Sequence, residues 1–185
     1  MTRFRLKWEK AIQAVDFIAR ERPGITQYYI GKILFFADRE HLLDYGRPIT
    51  GDRYVAMEHG PVPSAVRDLL KPDSGYPDEI LDVLASRIEI THEANKQRVS
   101  SKSDDDFPAL SGSDKEYLHT SIERYASMSF GELKKISHDD PAYVAAWDKP
   151  GTPMRWTLNS GLKNGWMTQK LQKGSCANTQ LAPED

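Results

Sequence analysis

Apolar residues recur at helical spacing almost from the start of the chain. Trp8, Ile12, Val15 and Ala19 form a stripe that Ala11 and Ile18 widen, until Pro23-Gly24 breaks it. This pattern predicts an amphipathic first helix. From Ile25 the spacing resumes through Ile30, Ile33, Leu34, Phe36, Ala37 and His41. Here the run IGKILFFA is apolar around much of the helix circumference, as expected of the central helix of a core. Gly46 can take a left-handed conformation just past the last turn and Pro48 cannot continue a helix, so the helix should stop there.

The segment Ile49 to Met57 is short, carries Tyr54 and Val55, and contains a Thr50-Gly51-Asp52 turn signal, which predicts an extended or hairpin-like stretch. Gly60-Pro61-Val62-Pro63 predicts an irregular, rigid connection, with Pro63 at the first position of a helix carrying Val66, Leu69 and Leu70. Gly60 should hold a conformation or a close approach that a side chain forbids. Pro77 can start a short helix through Ile80, Leu81 and Leu84. Arg87 to His92 and Gln97 to Lys102 flank Glu93-Ala94-Asn95-Lys96 and read as a small antiparallel hairpin. Two later helices are marked by capping boxes, Ser113 with Glu116 and Ser129 with Glu132, and Asp140 before Pro141 opens a third through Tyr143, Val144 and Trp147. Beyond Pro150 the pattern becomes irregular. The sum is an α+β fold, a mainly helical single domain with a small antiparallel β-sheet or hairpin over residues 1–150, then a divergent segment over 151–173 and a solvated, flexible tail over 174–185.

A chain of 185 residues can bury a core without metal or disulfide help. Its single cysteine, Cys176, excludes an internal disulfide framework and any Cys-based zinc finger, and fits a reducing cytoplasm. With 25 basic and 27 acidic residues and no long run of one sign, the electrostatic footprint of a nucleic-acid binder is missing. No continuous apolar run reaches the length of a membrane span or follows the N-terminal basic residues as in a leader, so a cytoplasmic location is expected.

Candidate chemistry is sparse. Asp38 and His41 are neighbours at i,i+3 and could offer two ligands to one metal, with His59, His138 and Asp139 as distant partners. The spacing lacks the His-Glu-x-x-His pattern of zinc proteases, and a capped helix end with internal ion pairs accounts for Asp38, Arg39, Glu40 and His41 more simply. His59 reads as a turn histidine bonding backbone beside Gly60 rather than a general base, and His138 as part of a helix start. No nucleophile elbow, P-loop or dinucleotide fingerprint is present, so neither an enzyme nor a cofactor is indicated. Trp147, Trp156 and Trp166 fall in a stretch rich in Gly, Pro and Asn, where large aromatics either cap the core or anchor a partner; core capping is the preferred reading.

Three dense blocks carry a resemblance: Ala37-Asp38-Arg39-Glu40-His41, Arg47-Pro48-Ile49-Thr50-Gly51-Asp52, and Glu58-His59-Gly60-Pro61-Val62-Pro63-Ser64. They closely resemble the signature of the SocA-like Panacea domain, also found in phage-associated GepA proteins. Weaker matches lie at Leu110-Ser111-Gly112-Ser113-Asp114, Phe130-Gly131-Glu132-Leu133 and His138-Asp139-Asp140-Pro141-Ala142, and the likeness spans approximately Leu6 to Trp147. The resemblance implies an antitoxin that neutralises a cognate protein toxin, encoded next door in a bacterial or prophage toxin-antitoxin pair, by direct contact. The alternative it implies is an adaptor that hands the toxin to a ClpXP-type protease; a metal-dependent hydrolase ranks well behind both. Tyr143 stands where the family usually shows tryptophan, and the chain after Trp147 departs from the usual closing helix. Contacts that vary with the toxin belong on the divergent part, which makes Trp156 and Trp166 the candidate toxin contacts.

Overall fold

The computed structural model describes residues 4–72, 74–93, 96–148 and 154. Helix α1 (Trp8–Glu21) buries the predicted apolar stripe, with Ile12, Val15 and Ile18 at the core. Helix α2 (Gln27–Tyr45) is buried without interruption from Ile30 to Asp38, as its all-round apolar run requires. It stops at Gly46, whose φ of 70° and N–H bond to the Leu42 carbonyl form the expected left-handed cap. A two-stranded antiparallel sheet follows, β2 (Tyr54–Met57) and β3 (Gly60–Pro63), and leads directly into α3 (Ser64–Leu69). Then come α4 (Asp78–Arg87), the predicted hairpin of β4 (Ile88–Glu93) and β5 (Lys96–Ser101), and helices α5 (Gly112–Tyr125), α6 (Phe130–His138) and α7 (Pro141–Trp147). This is an α+β, mainly helical fold. α2 is its axis, with α1 and α5 along its sides and the β2–β3 hairpin across one face.

The structure corrects four local readings. Ile25 and Thr26 do not begin the second helix but form strand β1, paired antiparallel with Val99 and Arg98 of β5. Gly24 anchors that pairing, donating to Ser100 Oγ (3.0 Å) and accepting from Arg98 (3.0 Å). Second, Gly60–Pro63 is an ordered strand, because Pro61 and Pro63 alternate along it and both can present their missing N–H to the outer edge. Third, Pro63 caps α3 from outside, the helix beginning at Ser64. Fourth, the first capping box is formed by Ser111 and Asp114, two residues before the predicted pair, since Asp114 is fully buried and fixed by Lys10 and Arg47. The box at Ser129 and Glu132 and the Asp140 cap of α7 stand where expected.

Buried charge stitches the elements together. Asp16 of α1 is fully buried and takes Arg87 Nη1 from the end of α4 at 2.9 Å and Ser101 Oγ from β5 at 2.6 Å. The α4–β4–β5 unit is thereby fastened to α1 through one carboxylate.

Candidate functional site

The helix end at residues 38–41 and the loop at 47–52 fold onto each other. Asp38, fully buried, accepts hydrogen bonds from the Ile49 N–H (2.7 Å), the Thr50 N–H (2.9 Å), Thr50 Oγ1 (2.6 Å) and the Tyr54 hydroxyl (2.9 Å). Burial pushes its carboxyl up to about 6 even though these donors work in the opposite direction. Tyr54 is held protonated well above its ordinary range by burial and by the Asp38 charge.

His41 is fully buried and contacts the Arg47 carbonyl through Nδ1 at 2.8 Å and Ser113 Oγ through Nε2 at 3.1 Å. A carbonyl can only accept, so Nδ1 carries a proton, while Nε2 sits between Ser113 Oγ and the Asp114 carboxylate, 3.3 Å from Oδ1. Burial holds the ring below its ordinary pKa. Arg47 pairs with Asp114 Oδ1 at 3.0 Å, and Lys10 reaches Asp114 Oδ2 at 2.6 Å. Burial alone would raise Asp114, yet Lys10 and the Ser111 donors hold it below the carboxylate range. Arg39 runs the other way, its Nε 2.6 Å from the Asp140 carboxylate that caps α7. Asp52 accepts from the N–H groups of Arg53 (2.6 Å), Ala65 (3.1 Å) and Val66 (2.9 Å), tying the loop to the first turn of α3.

Glu40 lies apart, at the α2–α5 seam near Tyr117 and Arg124. Asp38 and His41 face different partners, and among the described residues no three His, Cys, Asp or Glu side chains are placed to hold a metal ion. His59 is exposed in the hairpin turn, its ring 5.4 Å edge-on from Phe130, in place of the backbone bond expected of it. The His138 ring stacks on Tyr143 at 4.4 Å and is kept below its ordinary pKa chiefly by burial. Trp147 stacks on Tyr143 at 5.7 Å but is 46 % exposed, so it does not cap the core as the sequence suggested. Trp156 and Trp166 lie outside the described residues.

The third sequence block lines a cleft of about 320 Å³ between α2, the β2–β3 hairpin and α3. Met57, Glu58, Pro61 and Val62 line it from the hairpin, Tyr28 from α2, and Val66 and Arg67 from α3. Gly60, between the lining residues His59 and Pro61, has a φ of 98°, and an added Cβ there would lie 2.5 Å from Ser137 Oγ and 3.1 Å from Lys32 Cε. At the base is Lys32, 1 % exposed, its Nζ donating to the Pro61 carbonyl at 2.9 Å and lying 4.8 Å from the Tyr28 ring centre. Burial drops Lys32 to about 7. Spacing alone does not single out Lys32, whose one signal in the sequence is its place as a single cation inside the apolar run IGKILFFA.

A family model for the antitoxin SocA-like, Panacea domain matches residues 30–143. The chain belongs to that family. The Panacea match takes in all three motif blocks, Lys32, and the helices α5 and α6 that hold His41 and flank Gly60, but starts after α1 and β1, so it is shorter than the span the motifs suggested. Comparisons with curated proteins and with solved structures match neither. Within the Panacea domain the polar motif residues Asp38, Arg39, His41, Arg47 and Asp52 are engaged with one another's loops and helices.

Proposed function

We propose that this protein is the antitoxin of a bacterial or prophage toxin-antitoxin pair, neutralising a cognate protein toxin by direct, stoichiometric contact in the cytoplasm. The family match over residues 30–143 carries this reading. The internal employment of Asp38, His41, Arg47 and Asp52 supports it, because residues spent on architecture are not free for turnover. No helix among the described residues is long and apolar enough to cross a membrane. The surface around the hairpin supports a protein partner: Met57, Phe130, Val144 and Trp147 are exposed on β2, α6 and α7, and the Tyr143 hydroxyl ties α7 to the Met57 carbonyl at 2.9 Å. Aromatic and methionine side chains grouped in this way are characteristic of interface cores.

The test is co-expression with the product of the adjacent reading frame. Rescue of growth and a one-to-one complex on gel filtration, without added protease, are the expected results. Rescue at substoichiometric amounts that requires a ClpXP-type protease would replace inhibition by the adaptor reading. Absence of both rescue and complex would sink the antitoxin reading itself.

A further inference from the structure

The cleft beneath the β2–β3 hairpin contains an electrostatic imbalance. Its lining is mostly apolar, with Glu58 and Arg67 also lining it, yet the group at its base is the Lys32 amine, and among the described residues no carboxylate, Glu58 included, lies within ion-pair distance of Nζ. The buried carboxylates are committed: Asp16 to Arg87 and Ser101, Asp38 to Thr50 and Tyr54, Asp52 to α3, Asp114 to Lys10 and Arg47, Asp140 to Arg39. One backbone carbonyl and one aromatic face attend a cation that has three protons to donate. A buried charge so poorly compensated is costly, and a partner that brings the missing anion recovers that cost on binding.

The hairpin edge restricts how a partner can enter. Pro61 and Pro63 leave the outer edge of β3 without N–H donors, and the Pro61 carbonyl is already taken by Lys32. A segment cannot add to this edge as a further strand, so it must be read by side chains entering the cleft.

We propose that the cleft is the reading pocket for an acidic side chain of the partner protein, an Asp or Glu flanked by apolar residues, whose carboxylate pairs with Lys32 Nζ while its neighbours pack on Tyr28, Met57, Val62 and Val66. The identity of the partner as a toxin rests on the antitoxin reading; the chemistry of the pocket does not. Because burial holds Lys32 near 7, pairing also draws a proton onto it above that pH. The charged and titratable groups around Lys32 are Tyr28 on its own helix, Glu58 and His59 in the hairpin turn, Arg67 on α3 and His138 on α6.

The probe is a blocked tripeptide, acetyl-Leu-Glu-Leu-amide, titrated into the full chain against its Leu-Gln-Leu counterpart, with the Lys32 Hε NMR signals as readout. The expected result is a saturable shift of those signals by the Glu peptide and binding at least about tenfold weaker for the Gln peptide. In Lys32→Met, which removes the buried cation at nearly constant length, the preference for Glu disappears when followed through the Met57 methyl group. Raising the pH from about 6.5 to about 8.5 weakens the Glu peptide roughly tenfold in the wild type and leaves Lys32→Met unaffected, the neighbouring His59 and His138 being common to both proteins. Val62→Trp, which fills the cleft from its wall, abolishes the shift independently of Lys32. Equal binding of the two peptides, no saturable binding of either, or a Glu preference that survives in folded Lys32→Met overturns the proposal. None of these arms uses the toxin, so they succeed or fail separately from the co-expression test. With a toxin in hand, substitution of each of its Asp and Glu residues should identify one whose loss weakens the wild type about tenfold but not Lys32→Met.

Discussion

Asp38 shows how one side chain can determine the course of a dozen residues. Its two oxygens collect two backbone N–H groups and two hydroxyls in a site without solvent, so removing it strands four donors at once. Asp38→Ala should cost about 3 to 5 kcal/mol, read from the denaturant midpoint at unchanged slope. Gly60 is limiting for another reason, since both its φ of 98° and the 2.5 Å approach to Ser137 Oγ exclude a Cβ. Gly60→Val should cost roughly 2 to 3 kcal/mol; a wild-type midpoint would refute this account of the turn. The need for a glycine at this position was legible in the sequence, because Gly-Pro-Val-Pro leaves the chain little conformational choice. Lys32 was not legible as a site residue, because its burial is produced by Pro61 and Tyr28 closing over it, and spacing along a helix carries no information about that closure.

Among the elements, helices could be read where an apolar period runs into a breaker, as at the ends of α1 and α2, or where a capping side chain marks the start, as in α6 and α7. The failures have physical causes. The capping box of α5 lies two residues early because Asp114 is drawn into a buried cluster with Lys10 and Arg47, a tertiary attraction that outweighs the equally plausible local pair at Ser113 and Glu116. Strand β1 leaves no trace in the sequence pattern because two residues show no period at all; it exists only through β5. Helix α3 is six residues long and carries no capping side chain of its own, so its start depends on Asp52 across the hairpin. Asp52→Ala should therefore lower stability by about 2 kcal/mol and raise amide hydrogen exchange at Ala65 and Val66 more than at Leu118 in α5. Uniform acceleration across the chain would show that the loop, not α3, depends on this carboxylate.

Over the whole molecule, Lys32 couples stability to pH. Its proton is held to about 10.5 in an unfolded chain and released near 7 in the folded one, so between those values the unfolded state binds more protons and stability rises with pH. Relative to Lys32→Met, the wild type should gain about 2 kcal/mol between about pH 7 and pH 9; a difference that stays flat would mean that Lys32 is not buried as a neutral amine. The Asp38 fastening has a further consequence, in the order of folding. Its partners Ile49, Thr50 and Tyr54 lie 11, 12 and 16 residues away along the chain, short loops that close at small entropic cost, whereas His41 must wait for Ser113, 72 residues on. The end of α2 and the start of the hairpin should thus condense before the helical layer arrives. Asp38→Asn should accordingly slow refolding, while Ser113→Ala should act mainly by hastening unfolding.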